Sequence, residues 1–278
     1  MIRSSILYAC EMYQQLKENE IRQLERIEES FLRQVLKTTK GCPINQLYLS
    51  VGHYPARFEI QRIRLLYLKY ILDEEDDSLL SKFFRMQLEN KTRGDWASTC
   101  LNDLKKLGIS KTLIEIKTMS KFKFSKLVKD KIIPNAFKYL ISRQGSKGIE
   151  NNFSELSMAE YLLPENHILS ISEKQSMFAV KNRMIMIGAN FPKPNISYWC
   201  WCGIKENMQH VYECELINEK QHLSLEYMKI YTGNISEQIN VFRKFEINMK
   251  RRDKMKNENT FPCDPQEIHC SRQSVVLG

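Results

Sequence analysis

From Gln14 to Leu36, Leu16, Ile21, Leu24, Ile27, Phe31 and Val35 recur three to five positions apart with charges between them. That spacing predicts an amphipathic helix. The pattern extends it back into "SSILYACEMY", and "TTKGCP" (38–43) ends it with a Gly followed closely by a Pro. A second helix opens at "YPARFEIQRIRLLYLKYILDEE", with Pro55 in its first turn, where the missing N–H costs nothing. Phe58, Ile60, Ile63, Leu65, Tyr67, Tyr70 and Ile71 give it a broad apolar face. Helical periods follow at about 77–89, 95–107, 111–118 and 120–142, each bounded by Gly, Ser, Asn or Asp. The stretch 144–156, "QGSKGIENNFSEL", is polar and Gly-rich and reads as a domain boundary. Beyond it the pattern predicts a short helix near "SELSMAEYLL" and another at 172–188. A Pro-punctuated loop, "NFPKPNISYW", a Cys/His cluster, a basic helix near 235–256 and a loosely ordered tail complete the chain. The domains expected are therefore 1–145, 150–232 and 233–278, with no internal repeat.

Composition supports helices over sheets. Gly (10) and Pro (8) are scarce in 278 residues, and 42% hydrophobic residues suffice for a core, so the expected fold is all-α. The formal charge of +9 points to an acidic partner, with nucleic acid and a membrane surface both fitting. The longest apolar stretches, such as "RLLYLKYIL" (64–72), are too short and too charged to span a bilayer. Glu11 and Gln14 interrupt the apolar start, so no signal peptide is read. The expected location is then intracellular, nuclear or cytoplasmic, and the eight cysteines are expected to be reduced thiols.

Cys200, Cys202, His210 and Cys214 fall within "CWCGIKENMQHVYEC". Three thiolates and an imidazole make the ligand set of a structural zinc site, and the His-x3-Cys half puts two donors on one helical face. The single residue between Cys200 and Cys202 is shorter than the usual C-x2-4-C spacing, so buried, unligated cysteines stand as the alternative. A closed four-ligand site leaves no open position for water, which argues against catalysis there. Cys263, His269 and Cys270 form a weaker set, because adjacent side chains diverge. The run "DEEDD" (73–77) reads as a solvated cluster between helix ends, since consecutive carboxylates do not converge on one ion. No catalytic constellation is found. In "SKFKFSKLVKDK", Lys121, Lys123 and Lys126 are candidates for phosphate contact, with Phe122 and Phe124 read as core. Arg251 and Arg252 in "MKRRDKMK" are a second candidate pair, set against the plain reading of a solvated face.

The order of segments resembles the region after the polymerase palm in reverse transcriptases of non-LTR (LINE-type) retrotransposons. Leu7-Tyr8-Ala9-Cys10-Glu11 matches the family's "LYgcE", and Leu32-Arg33-Gln34-Val35-Leu36 its "LRqvL". Gly41-Cys42-Pro43-Ile44, Leu47-Tyr48-Leu49, Gly52, Pro55 and Arg62 follow the "GtPi..LYLelG..P.rf.I..RRL" block, and Gly94-Asp95-Trp96 its "DW" segment. Further on, "FAVKNRMIMIGANF" ahead of the Cys/His cluster is similar to the C-terminal part of the same proteins. In the family that cluster reads C-x2-C, His, Cys and forms a small zinc-binding, RNA-associated module. Cys202, His210 and Cys214 match by position, whereas Trp199 stands where the first Cys is expected and Cys200 comes one step late. The resemblance implies a thumb-like helical domain and a smaller domain with a CCHC-type structural zinc, binding nucleic acid, RNA first. It implies no membrane partner and no small-molecule substrate. The parent activity is RNA-directed DNA polymerisation, but the palm and its catalytic aspartates fall upstream of Met1. The chain alone is thus expected not to polymerise DNA. A helical protein-interaction scaffold, or a decayed relic of such an element, is the alternative.

Overall fold

The computed structural model of the chain describes residues 7–12, 16–38, 41–90, 92, 94–143, 153–182, 184, 204, 207–214 and 228–257. Among these the structure is helical, and the only extended pairing is an isolated bridge between Val51 and Met158. The chain divides into two compact units. Met1–Lys37, Pro43–Gly145 and Phe153–Leu162 form the first; Thr38–Cys42, Ser146–Asn152 and Leu163–Gly278 form the second.

In the first unit the helices are α1 (Glu18–Val35), α2 (Ile44–Ser50), α3 (Ala56–Asp73), α4 (Leu79–Asn90), α5 (Trp96–Lys106), α6 (Leu113–Thr118) and α7 (Lys121–Ser142). The broad apolar face read in the sequence makes α3 the centre: α1, α4, α5, α6, α7 and a 3-10 turn at Cys10–Met12 all pack on it. Pro55 is its N-cap and not a residue of its first turn, holding an extended backbone just before Ala56. Phe58, Leu65, Leu68 and Ile71 meet Phe84, Trp96 and Leu104 in one core. Each such side chain stabilises the fold by roughly 1.5–3 kcal/mol relative to exposure.

On α7, every fourth residue from Phe124 through Val128, Ile132 and Ala136 to Leu140 is buried. That column carries the helix past Pro134, which sits on the exposed side. The helices α3 and α7 run antiparallel. Phe58, near the start of α3, meets Tyr139, near the end of α7, with ring centroids 5.5 Å apart; Tyr70 and Lys121 meet at the opposite end.

Three elements depart from the sequence reading. First, α1 begins at Glu18, because Ala9 has a positive φ of 54° that turns the chain into the separate 3-10 segment. Cys10 of that segment is buried beside Ala56 and Ile60. Second, α2 was not predicted. Five of its seven residues, Gln46 through Ser50, are buried, the polar Gln46 and Ser50 with them, so no alternation of polar and apolar faces marks a helical period. Third, the predicted helix near 154–163 is a 3-10 turn at Glu160–Leu162. Residues 153–162, read as part boundary and part second domain, pack with the first unit: the Ala159 N–H donates to Ser50 O at 2.8 Å beside the Val51–Met158 bridge.

In the second unit, α8 (Ile171–Lys181), α9 (Met208–Glu213), α10 (Lys229–Thr232) and α11 (Ile235–Asn257) are described. Along α11, Ile239, Val241, Phe242 and Phe245 are buried, and α9 and α10 pack on this helix. The helix predicted to reach 188 ends at Lys181; positions 185–188, the loop "NFPKPNISYW" and the tail beyond 257 lie outside the described residues. No described helix is long and apolar enough to cross a membrane.

Candidate nucleic-acid interface and metal ligands

The first turn of α7 is fixed by Ser120, whose side-chain oxygen accepts the Lys123 N–H at 3.3 Å. Because the buried column repeats every four residues, the lysines between its members are left on the outside. Lys121, Lys123, Lys126, Lys129 and Lys131 are all exposed, and Asp130 is the one carboxylate among residues 121–131. Phe124 is buried as predicted, but Phe122 is 78% exposed. The sequence held the signal for this difference: Phe122 stands two residues off the column that Phe124 begins.

Next to this turn, the Lys121 ammonium lies over the Tyr70 ring, 5.9 Å from its centroid, a cation–π distance. Tyr70 in turn stacks on Tyr67, with centroids 5.7 Å apart and planes 14° from parallel. The "DEEDD" carboxylates nearby are largely engaged. Asp73 pairs with Lys69, while Asp76 accepts Lys117 at 2.9 Å and lies 3.7 Å from Arg85. The Lys117 hydrogen bond holds the Asp76 carboxyl below its ordinary range. Glu74 accepts from the Tyr70 hydroxyl and raises it.

In the second unit, Arg251 is exposed but Arg252 is only 3% exposed, its Nη1 3.1 Å from Asp253. A guanidinium placed inside cannot reach a phosphate, so of this predicted pair only Arg251 is presented to solvent.

Of the four predicted zinc ligands, Cys200 and Cys202 lie outside the described residues, as do Cys263, His269 and Cys270. His210 and Cys214 are described. The Asn207 side chain accepts the His210 N–H at 2.8 Å, starting α9, and the Cys214 N–H donates to His210 O at 2.7 Å, closing it. One helical turn therefore sets imidazole and thiol on neighbouring positions of one face. The buried Asn248 of α11 donates to Tyr212 O at 3.0 Å and Val211 O at 3.4 Å, satisfying carbonyls that a six-residue helix leaves open. Cys214 is buried and forms no disulfide. Its thiol and the His210 ring are chemically suited to zinc, yet no group of three or more His, Cys, Asp or Glu is arranged to hold a metal among the described residues.

A cleft of about 470 Å³ in the first unit is lined by Arg57, Arg64 and Lys106 with Gln61, Asn102 and Tyr139. Its guanidinium groups are committed to protein carboxylates. Arg57 donates to Glu25 at 2.6 and 2.8 Å and to Glu18 at 2.9 Å, which raises its pKa, and Arg64 donates to Asp103 at 2.6 Å. Among the described residues, no carboxylate forms an ion pair with the α7 lysines Lys121, Lys123, Lys126, Lys129 and Lys131. No protein-family model, curated protein or solved structure matches the chain.

Proposed function

We propose that the chain binds nucleic acid, RNA first, as the thumb-like and C-terminal region of a non-LTR reverse transcriptase, and that it does not polymerise DNA by itself. One observation carries the binding: five exposed lysines against a single carboxylate on the first half of α7. Phosphates entering this surface release condensed counterions, and affinity then falls steeply with salt. In the same reading Cys200, Cys202, His210 and Cys214 hold a structural zinc that braces the short helix α9. Thiolate and imidazole donors suit that ion, and the metal would supply folding energy and no reaction step. Zinc content of the purified chain, lowered by Cys214→Ser, is the direct readout of this part; negligible zinc in both proteins refutes it.

Binding is tested by titrating a labelled RNA at several salt concentrations. With about three phosphates contacted, log K against log[salt] should slope near −2. Lys126→Gln should weaken binding evenly across sequences and flatten that slope by about 1. A salt-independent affinity, or a Lys126 variant indistinguishable from the parent, overturns the reading.

A protein-interaction scaffold is favoured by a different observation. Ile27, Phe31 and Val35 on α1, and Leu79, Phe83 and Met86 on α4, leave apolar stripes in solvent at helical spacing. Phe31→Glu and Phe83→Glu should leave RNA affinity unchanged if these stripes serve protein partners.

A further inference from the structure

We infer that the α7 surface selects single-stranded nucleic acid over duplex, stacking a base on Phe122 with the flanking phosphates against Lys126 and Lys129. This rests on the nucleic-acid reading above and adds the strandedness of the ligand. A lone exposed apolar side chain is ordinary and by itself means nothing. The setting of Phe122 is what carries weight. Lys121 and Lys123 flank it in sequence, and Lys126 and Lys129 follow at i+4 and i+7 on the same side of the helix. With a rise of 1.5 Å per residue they stand about 6 and 10 Å further along the axis, a spacing that suits consecutive phosphates beside a docked base.

The neighbouring rings are already occupied. Tyr70 is covered by Lys121 on one side and stacks on Tyr67, and Phe124 is in the core. Phe122 lies outside that core and offers a π-face at the centre of the lysines. In a duplex the base faces are stacked on each other and only the backbone and the base edges in the grooves are presented, so a protruding ring finds no free base face to stack on. A single strand offers both faces, and base–aromatic stacking together with phosphate contact is how such strands are held. An anionic membrane would also attract the lysines. It would need a wider apolar stripe than this face provides, because the other large apolar residues of the first half of α7 turn inward.

The test uses the full chain, with fluorescence anisotropy against a single-stranded RNA, its duplex and anionic lipid vesicles. The single strand should bind about tenfold more tightly than the duplex. Phe122→Ala should weaken single-strand binding by about tenfold and leave duplex binding within a factor of about two, while Phe122→Trp retains the parent affinity. The exposed position of Phe122 keeps these variants clear of the core, and the Trp variant separates stacking from folding. Equal losses on both RNAs, or no loss on either, overturn the inference while the salt dependence and the Lys126 variant leave the phosphate reading standing. Failure of the parent chain to bind either RNA brings down both, and Phe122-dependent binding to vesicles alone would replace the nucleic acid with a lipid surface.

Discussion

The residues least legible in the sequence are charged ones that the fold buries. Arg64 and Lys69 sit on α3, 5% and 3% exposed, although a basic residue in a helical pattern is by default solvated. What holds Arg64 inside is Asp103, 39 positions later on α5, itself 3% exposed and also bonded by Gln61 at 3.2 Å. No local pattern announces a partner that distant. Arg252, read as a phosphate contact, is likewise found inside, 3% exposed. The Arg64–Asp103 pair also shows how narrowly such charge is tolerated, because Arg64 Nε has no hydrogen-bond partner among the described residues. Removing one member of a buried pair strands the other charge, whereas replacing both by apolar groups does not. Asp103→Ala should therefore lower unfolding stability by about 3–5 kcal/mol in urea, and Arg64→Met with Asp103→Leu should lose less than that single change. A single-variant loss below about 1 kcal/mol would place the pair in water.

The boundaries of α5, α6 and α7 were well read, because capping residues are local. Asp95, Thr112 and Ser120 each accept a backbone N–H three residues on, and the predicted helices at 95–107, 111–118 and 120–142 appear as Trp96–Lys106, Leu113–Thr118 and Lys121–Ser142. Periodicity fails where an element has no alternation of polar and apolar faces, as in α2. At Phe122, two residues off the buried column, the period itself carries the signal that reading both Phe residues as core passed over; the lysines of the candidate surface were legible directly. At the start of α6, Thr112 and Glu115 form a reciprocal box: Glu115 accepts the Thr112 N–H at 2.8 Å and pairs with Lys111 at 2.8 Å. The Lys111 contact, then the Thr112 bonds, lower the Glu115 pKa from 4.5 to about 2. Since the folded value lies below the ordinary one, this cap contributes fully above pH 4.5 and is lost as pH falls toward 2. An NMR titration should place the Glu115 midpoint near 2, with the first-turn amides of α6 following it. A midpoint at the ordinary value would mean that the box is open in solution.

For the molecule as a whole, the helical class followed from composition and period, while the reach of the first unit did not. Its closing segment, 153–162, begins inside the polar stretch 144–156 that the sequence offers as a boundary, and it packs closely on one glycine. Gly52 has φ +65°, and a Cβ there would stand 2.2 Å from Met158 N and 2.5 Å from Ser157 C. Gly52→Ala combines a left-handed backbone with a clash against main chain, so stability should drop by at least about 2 kcal/mol in urea unfolding. A change within about 0.5 kcal/mol would show that the segment does not rest on Gly52.

That contact also sets a clock on synthesis. The first unit stays incomplete at the ribosome until Tyr161, buried in it, has been made, roughly 100 residues after Gly52. At about 5–20 residues per second the α2–α3 corner waits some 5–20 seconds for its cover. During that interval the nascent helices expose apolar surface that the finished unit hides.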